Sequence, residues 1–325
     1  MAERIVKEAQ VTLDFSGQRF DQIATELFSD YSRSRIQSWI KEGVLLVDGK
    51  QTKPKEKLFG GETITLDVQL EEQAVHDAQE IPLEIVYEDE DILVINKPAG
   101  LVVHPAAGHS DGTLLNAILH HAPETAMVPR AGIVHRLDKE TTGLMVVAKT
   151  LQAQTDLVAQ LQDRSMGREY EAIAIGAMTG GGVVDEPIGR HPHNRQKMAV
   201  EPIHGKEAIT HYRLIKRYNN HTHIRLKLET GRTHQIRVHM AHIQYPLVGD
   251  PQYAGRLKMP KGCSPELQEG LRGFRRQALH AKKLELSHPA TGEWMEWEVG
   301  LPEDMLELIQ ILETDLDNGG QNQYM

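Results

Sequence analysis

Residues 131–149, AGIVHRLDKETTGLMVVAK, decide the fold of this chain. They consist of a short apolar approach, a polar turn that carries Arg136 and Asp138, and an apolar run at 144–148. A short apolar run behind a turn is typical of a buried strand. An aspartate held in front of such a strand is well placed for catalysis, although most turn aspartates only cap the turn. The spacing alone leaves both interpretations open.

Around this stretch, residues 82–313 predict one large domain. We expect an α+β fold with a mixed, mainly antiparallel sheet flanked by helices and loops, because strand and helix periodicities both recur. Residues 181–208 are expected to form a long exposed loop, and 314–325 a disordered tail. Strands are expected at 83–86, 92–95, 144–148, 172–175, 209–215, 223–228, 284–287 and 294–299, and helices at 151–164, 233–242 and 303–312.

The first seventy residues predict a smaller unit. Apolar side chains recur at i, i+3 and i+4 over 19–28 and again after Tyr31, which indicates two helices. Two short strands are expected on either side of the turn dipeptide Asp48-Gly49. These elements predict a small α+β domain at 17–68, preceded by a lead at 1–16.

The net charge of −10 is unevenly distributed. Residues 69–91 contain nine acidic residues and no lysine or arginine, and 303–317 contain six more acids and again no base. Without those fifteen the chain has 31 acidic against 36 basic residues. We therefore expect an acidic linker at 69–81, and the overall sign does not exclude a basic surface that faces RNA.

Sequence motifs for metal or nucleotide chemistry are absent. His239 and His242 have a useful spacing but lack a third ligand, and there is no phosphate loop or dinucleotide fingerprint. We therefore expect neither a metal nor a cofactor. Cys263 is the single cysteine, which agrees with a reducing compartment. No apolar window approaches the roughly eighteen residues of a membrane span, so a cytoplasmic protein without membrane contact is expected.

Gly108-His109-Ser110-Asp111-Gly112 fits the G-x-S-x-G pattern of a serine-hydrolase elbow. Such an elbow needs a strand that runs directly into its first glycine, and Pro105 interrupts that strand. Asp111 or Thr113 as the N-cap of a following helix explains the same residues. We expect a helix start here.

Five stretches of the chain resemble the RluA family of pseudouridine synthases, in the same order as in that family. The unit at 17–68 resembles the S4 RNA-binding module. Within the family the chain is most similar to a member that acts on large-subunit ribosomal RNA. The five stretches are INKPAGLVVHP at 95–105, HRLDKETTGLMVVAK at 135–149, REYEAIAIG at 168–176, LETGRTHQIRVHMAH at 228–242 and QALHAKKLELSHPATGE at 277–293.

The resemblance implies a role for several side chains in converting uridine to pseudouridine without a cofactor. Asp138 matches the catalytic aspartate, and Arg237 matches the arginine that forms a salt bridge with it. Tyr170 and Ile236 match the residues on the two sides of a flipped uracil. Arg136 matches the arginine that fills the vacated place in the RNA. The carboxylate of Asp138 would act in its ionised form, either on C1′ of the ribose or on the 2′ proton.

The resemblance also implies RNA partners. The expected substrate is 23S rRNA or a large-subunit precursor particle, at the helix 69 stem-loop, and the enzyme is expected to be a monomer. In the S4-like domain Arg33, Arg35, Lys50 and Lys53 are candidates for phosphate contacts, which orient RNA without selecting its sequence. The loop at 181–208 is a further candidate RNA contact.

Two alternative functions are less well supported by the sequence. A noncatalytic ribosome-assembly factor could keep the same scaffold, although the intact set of motifs argues against it. A glycosidase would need a second carboxylate about 5–10 Å from Asp138, and no motif supplies one.

Overall fold

The computed structural model describes residues 4–29, 31, 33–69, 76–105, 111–194 and 197–321. These residues form a small N-terminal unit and a large domain built on one mixed sheet. The expected α+β architecture is therefore confirmed. The predicted linker at 69–81 lies partly outside the described residues.

The small unit packs two helices on a three-stranded antiparallel sheet with strand order β1-β3-β2. Its core is formed by the apolar faces expected from the sequence, including Phe20, Ile36 and Trp39. The elements are β1 (Arg4–Gln10), α1 (Phe20–Leu27), α2 (Arg33–Glu42), β2 (Leu45–Val47) and β3 (Thr63–Gln69).

The prediction of a lead at 1–16 is wrong over β1. This segment pairs with β3 along its whole length, from Arg4 opposite Gln69 to Gln10 opposite Thr63. Its alternate residues Ile5 and Ala9 pack against the core of the small unit. The pattern of charged and polar residues around them hid a strand that is exposed on one face.

The large domain contains a nine-stranded sheet within the described residues. Its strand order is β4-β5-β6-β13-β7-β12-β11-β8, with β14 paired to β13. Only the β6–β13 pair is parallel, so the sheet is mixed and mainly antiparallel, as predicted. The strands are β4 (Ile85–Glu88), β5 (Ile92–Lys97), β6 (Thr142–Ala148), β7 (Gly167–Ile175), β8 (Gly182–Asp185), β11 (Ile209–Arg217), β12 (His221–Leu228), β13 (Leu279–Ser287) and β14 (Trp294–Glu298).

Five helices of the large domain flank this sheet in the described part of the chain. Thr113 is the N-cap of α3 and forms a capping box with Asn116, as one of the two predicted caps; Ser110 lies outside the described residues. No helix that the structure describes is both long and apolar enough to span a bilayer. The helices are α3 (Leu114–His121), α4 (Leu151–Asp163), α5 (Gln235–His242), α6 (Pro265–Gly273) and α7 (Glu303–Gln321).

The prediction of a disordered tail at 314–325 is wrong as far as Gln321, where α7 ends. The helix continues because Asp315 is buried and accepts hydrogen bonds from the Ser264 N–H and from Asn219. Leu316 also packs against the apolar cluster beneath α6 and α7. The acidic composition of this segment gave no indication of these tertiary contacts.

Residues 181–208 are more regular than the predicted loop. They include β8, which joins the edge of the main sheet beside β11. They also include a hairpin of β9 (Ile188–Arg190) and β10 (Met198–Val200). Met198 and Val200 pack beside Val238 of α5, which places this hairpin next to the elements of the site.

Candidate active site

Asp138 lies on a turn that is held in place by side chains from neighbouring segments. Lys97, at the end of β5, donates a hydrogen bond of 2.9 Å to the carbonyl of Lys139. Gln277, just before β13, donates one of 2.9 Å to Thr141 Oγ1. The Thr141 N–H closes the turn onto the carbonyl of Asp138 at 3.0 Å. The backbone around the aspartate is thus fixed before any ligand binds.

The strand behind this turn requires a glycine. Gly143, the second residue of β6, has a φ of +112°. A Cβ at this position would collide with the backbone of Ala281 on β13. The parallel pairing of β6 and β13 occurs at this close approach. The stretch at 131–149 therefore includes a buried strand, as predicted, directly behind Asp138.

One guanidinium joins two aspartates. Arg237 NH1 donates to Asp138 Oδ2 at 2.8 Å, while its Nε and NH2 donate to Asp250 at 2.7 and 3.0 Å. The side chain of Asp250 is fully buried and that of Asp138 is 17% exposed. Although burial opposes its charge, the two carboxylates hold the pKa of Arg237 above its ordinary value.

The beginning of α5 is fixed by Gln235. Its Oε1 accepts the Arg232 N–H at 2.9 Å, and its Nε2 donates to the carbonyl of Ile209 on β11 at 3.0 Å. Side-chain hydrogen bonds of this kind determine how a helix meets the sheet. They set the positions of Ile236 and Arg237, the next two residues of the helix.

His234 precedes α5 in the left-handed conformation, with φ of +56°. Its Nε2 lies 3.8 Å from Asp138 Oδ1, and its Nδ1 is hydrogen-bonded to the hydroxyl of Tyr253 at 2.7 Å. That hydroxyl also accepts the Met198 N–H of β10 at 3.0 Å. Burial lowers the pKa of His234, and the Asp138 carboxylate opposes this shift. The β9–β10 hairpin is thereby connected to the carboxylate.

A cavity of about 820 Å³ opens in front of Asp138. All five residues singled out for the reaction line it, namely Asp138, Arg237, Tyr170, Ile236 and Arg136. Tyr170 and Ile236 are 6% and 4% exposed, whereas Arg136 is exposed. The volume is within the range of about 300–1,000 Å³ that is usual for small-ligand sites, so the cavity can hold one nucleotide.

Other basic side chains also line the cavity, among them Arg168 and His135. Arg168 is 6% exposed, and its Nε has no hydrogen-bond partner among the described residues. His135 Nε2 accepts the Val146 N–H at 3.1 Å, and burial lowers the pKa of His135 to about 3. His135 is therefore neutral, whereas Arg168 carries a charge in a largely dry place.

No role was predicted from the sequence for Lys97, Arg168, His234 or Asp250. The period of two in a strand would have placed Arg168 on the same face as Tyr170. His234 is next to the predicted helix start, but nothing local indicates its backbone conformation. Asp250 lies in an irregular segment, and only the tertiary fold reveals its contact with Arg237.

The RNA-contact candidates of the small unit have different surroundings. Lys50 and Lys53 are exposed. Arg33 has a half-exposed side chain and an ion pair of 3.2 Å with the buried Asp21. Arg35 is partly buried, with its guanidinium 5.5 Å from the centre of the Trp39 ring. Arg35 is therefore the least accessible of the four.

Asp250 is a second carboxylate beside the first, as a glycosidase would require. It does not line the cavity, and its oxygens accept hydrogen bonds from Arg237, Gln252 and Tyr253. A carboxylate so enclosed cannot reach a substrate or an attacking water. The geometry gives no support to the glycosidase alternative.

The chain is similar in sequence to a known family and to named proteins. Residues 91–242 match the family described as RNA pseudouridylate synthase. A protein of Pseudomonas aeruginosa is 61% identical over 315 residues, covering 97% of this chain and 98% of its own. One of Escherichia coli (strain K12) is 59% identical over 318 residues, covering 98% and 97%. Both carry the name ribosomal large subunit pseudouridine synthase D.

Solved structures show the same fold. The structure of human RNA pseudouridylate synthase domain containing 4 covers 71% of this chain and 93% of its own, with a TM-score of 0.55 and 26% identity. The structure of human RNA pseudouridylate synthase domain containing 1 covers 74% and 98%, with a TM-score of 0.52 and 24% identity. The second likeness concerns the fold alone.

Proposed function

This chain belongs to the family of RNA pseudouridylate synthases, and on that basis we propose that it converts uridine to pseudouridine in the 23S RNA of the large ribosomal subunit. The observation that carries the proposal is the Asp138 carboxylate, held by Arg237 at 2.8 Å on the wall of a nucleotide-sized cavity. The relatives named for large-subunit activity match 97–98% of the chain.

The reaction breaks the N1–C1′ bond of uridine, turns the base and rejoins it through C5. Nothing is oxidised and no group is gained or lost, so protein side chains suffice. Two roles fit Asp138: its carboxylate attacks C1′ to form an ester, or it takes the 2′ proton to give a glycal. In either case Arg237 holds the carboxylate in place through a hydrogen bond of 2.8 Å.

A uridine within RNA must leave its stack to reach Asp138, which costs a few kcal/mol. Tyr170 and Ile236 line the cavity as buried apolar surfaces on which the base can rest. Aromatic stacking returns about 1–3 kcal/mol per base. The exposed Arg136 is two residues from Asp138 and is available to occupy the gap that the base leaves in the RNA.

The small unit serves in this proposal as an S4-like RNA-binding domain. Lys50 and Lys53 supply exposed positive charge for phosphates, with Arg33 beside them in the same unit. The helix 69 stem-loop is the region of the RNA that we propose as substrate, free or within a precursor particle. The enzyme would act as a monomer, since one chain supplies every group named above, and in the cytoplasm, where that RNA is assembled.

The test is in vitro pseudouridylation of unmodified 23S rRNA, mapped chemically. We expect the wild-type chain to form pseudouridine and Asp138→Asn to form none while it still binds the RNA, because binding is distributed over many phosphate contacts. Asp163→Asn, which removes an exposed carboxylate at the end of α4, is the matched control and should remain active. Activity retained in Asp138→Asn would refute the assignment. A wild-type chain that binds but modifies nothing would indicate the assembly-factor alternative.

A further inference from the structure

The guanidinium of Arg168 lines the active-site cavity, and no described carboxylate forms an ion pair with it. The side chain is 6% exposed, and its Nε has no hydrogen-bond partner in the part of the chain that the structure describes. Burial lowers the pKa of Arg168, yet arginine remains protonated in proteins. A buried, unpaired cation is unfavourable. Its missing partner must therefore arrive with the ligand.

Arg168 and Tyr170 project from the same face of β7. They are two residues apart in a strand, so their Cα atoms are separated by about 7 Å. The guanidinium lies against Gly231, where any Cβ would collide with NH1. Burial raises the pKa of Tyr170 and the charge of Arg168 opposes that shift, which also indicates their proximity. A pyrimidine that rests on Tyr170 therefore has one edge within reach of Arg168.

We propose that Arg168 binds the carbonyl oxygens of the flipped uracil and stabilises the negative charge that the base carries once its glycosidic bond has broken. This inference rests on the proposed function. When the N1–C1′ bond breaks, its electrons remain on N1, and resonance spreads the charge to O2 and O4. Asp138 compensates the positive charge that develops on the sugar, either by bonding to C1′ or by accepting the 2′ proton. A fixed donor in a water-poor site is an effective stabiliser of such charge.

The same contact survives the turning of the base. Rotation about the axis through N3 and C6 exchanges N1 with C5 and also O2 with O4. A carbonyl oxygen therefore faces Arg168 both before and after the rotation. C5 then bonds to C1′, the C5 proton leaves and N1 is protonated, so that the atoms balance. Cytosine carries an amino donor in place of O4, so the guanidinium also favours uracil.

A phosphate of the same RNA is the other anion that could pair with Arg168. The depth of the side chain favours the base. A flipped nucleotide inserts its base first, while its phosphates remain with the backbone at the surface, where the exposed Arg136 lies. The two sources differ in what they would change, since a phosphate contact governs affinity and its salt dependence, whereas a base contact governs the rate.

The experiment compares Arg168→Met and Arg168→Lys with wild type. For Arg168→Met we expect an unchanged or higher melting temperature of the free protein, an affinity for 23S rRNA within about twofold, and a single-turnover rate lower by about a hundredfold or more. Arg168→Lys should recover part of the rate. The matched control is Arg276→Met, because Arg276 is equally buried but has two hydrogen bonds to Asp304. The melting temperature of this control should fall.

A second substrate tests the charge directly. In RNA transcribed with 5-fluorouridine the fluorine stabilises the uracil anion, so bond breaking depends less on the guanidinium. We expect the ratio of wild-type to Arg168→Met rates of 5-fluorouridine consumption to be at least about tenfold smaller than the ratio for uridine.

Four results would overturn the inference. A large fall in the melting temperature of Arg168→Met would make the residue structural. Weaker binding with a smaller salt dependence and an unchanged rate would assign it to a phosphate. A wild-type rate in Arg168→Met would remove any role, and equal ratios for the two substrates would exclude charge stabilisation. An inactive wild-type preparation would instead refute the proposed function.

Discussion

Asp138 and Asp250 share the guanidinium of Arg237 but occupy different environments. Asp138 is partly exposed in the cavity, whereas Asp250 is fully buried and also accepts the N–H groups of Gln252 and Tyr253. The two hydrogen bonds to Asp250 fix the plane of the guanidinium. Its remaining NH1 is therefore aimed at Asp138. Under the proposed function Asp250 would position Arg237, and Asp138 would meet the substrate.

Asp250→Asn should uncouple positioning from binding. Breaking a buried ion pair costs about 3–5 kcal/mol of stability, and a guanidinium that shifts by about 1 Å can lower the rate a hundredfold. We expect a lower free energy of unfolding and a lower single-turnover rate, with RNA affinity nearly unchanged. Denaturant unfolding and rapid-quench kinetics measure the first two quantities.

Asp315→Asn is the control for this variant. Asp315 is also a buried aspartate with hydrogen bonds from Ser264 and Asn219, but it lies on α7, away from the cavity. It should lose stability while keeping the wild-type rate. If Asp250→Asn kept its rate as well, the positioning role would be disproved.

Lys97 joins the end of β5 to the turn that carries Asp138. The side chain is 1% exposed, and Nζ donates to the carbonyls of Pro98, Leu101 and Lys139 at 2.7, 3.0 and 2.9 Å. Burial is the main cause that lowers its pKa, to about 8. One ammonium group thus connects the chain after β5 to the residue that follows Asp138.

Lys97→Met should loosen this connection. Each buried carbonyl that loses its donor costs roughly 1–3 kcal/mol, and relief from burying the charge offsets part of that sum. At pH 7 we expect a net loss of about 2–4 kcal/mol in the free energy of unfolding, together with a lower rate. Lys282→Met is the control, since Lys282 donates to the carbonyl of Val299 on the other side of β13; its rate should be unchanged.

The effect of Lys97 on stability should depend on pH. The folded chain loses this proton near pH 8, whereas the unfolded chain holds it up to its ordinary pKa of 10.5. Between these values the unfolded state binds more protons, so the free energy of unfolding rises with pH. Relative to Lys97→Met, the wild type should gain about 3 kcal/mol from pH 8 to 10.5. A constant difference across this range would contradict the shift.

The whole molecule contains two units whose cores meet at a limited contact. The core of the small unit is formed by its own helices and sheet, and Met127 and Leu151 of the large domain pack against it. The cavity is lined by residues of the large domain only, within the part of the chain that the structure describes. Under the proposed function the small unit would bind RNA, and the large domain would carry out the chemistry on the uridine.

Deletion of residues 1–68 should therefore separate the two tasks. We expect the affinity for 23S rRNA to fall by about tenfold or more because phosphate contacts are lost. The single-turnover rate at saturating RNA should remain within about threefold, and the remaining chain should still melt cooperatively, since its core is separate. Filter binding, rapid quench and calorimetry provide the three measurements.

The double variant Lys50→Ala, Lys53→Ala in the full-length chain is the matched control. Each phosphate contact that is lost should reduce the salt dependence of binding by about one unit of slope. Unchanged affinity in the deletion variant, or loss of its cooperative melting, would refute the assignment of RNA binding and chemistry to separate units.

The sequence determined most of the elements and, with the resemblance, five of the residues that line the cavity. Local periodicity suffices for elements such as β6 and α4, because apolar residues must recur where one face is buried. The motif around Asp138 was recognisable because its residues are contiguous. The positions of Tyr170, Ile236 and Arg237 came from the resemblance alone, since each would otherwise pass for an ordinary core or surface residue.

Only the tertiary structure decided the contacts that join distant segments. No local signal in the sequence indicates the pairing of β1 with β3, the continuation of α7 to Gln321 or the ion pair between Asp250 and Arg237. Each depends on hydrogen bonds or packing between residues far apart in the chain, and such partners cannot be identified from the spacing along one segment. The lack of a partner for the Arg168 Nε among the described residues is of the same kind, because only the folded chain brings the neighbours of that atom together.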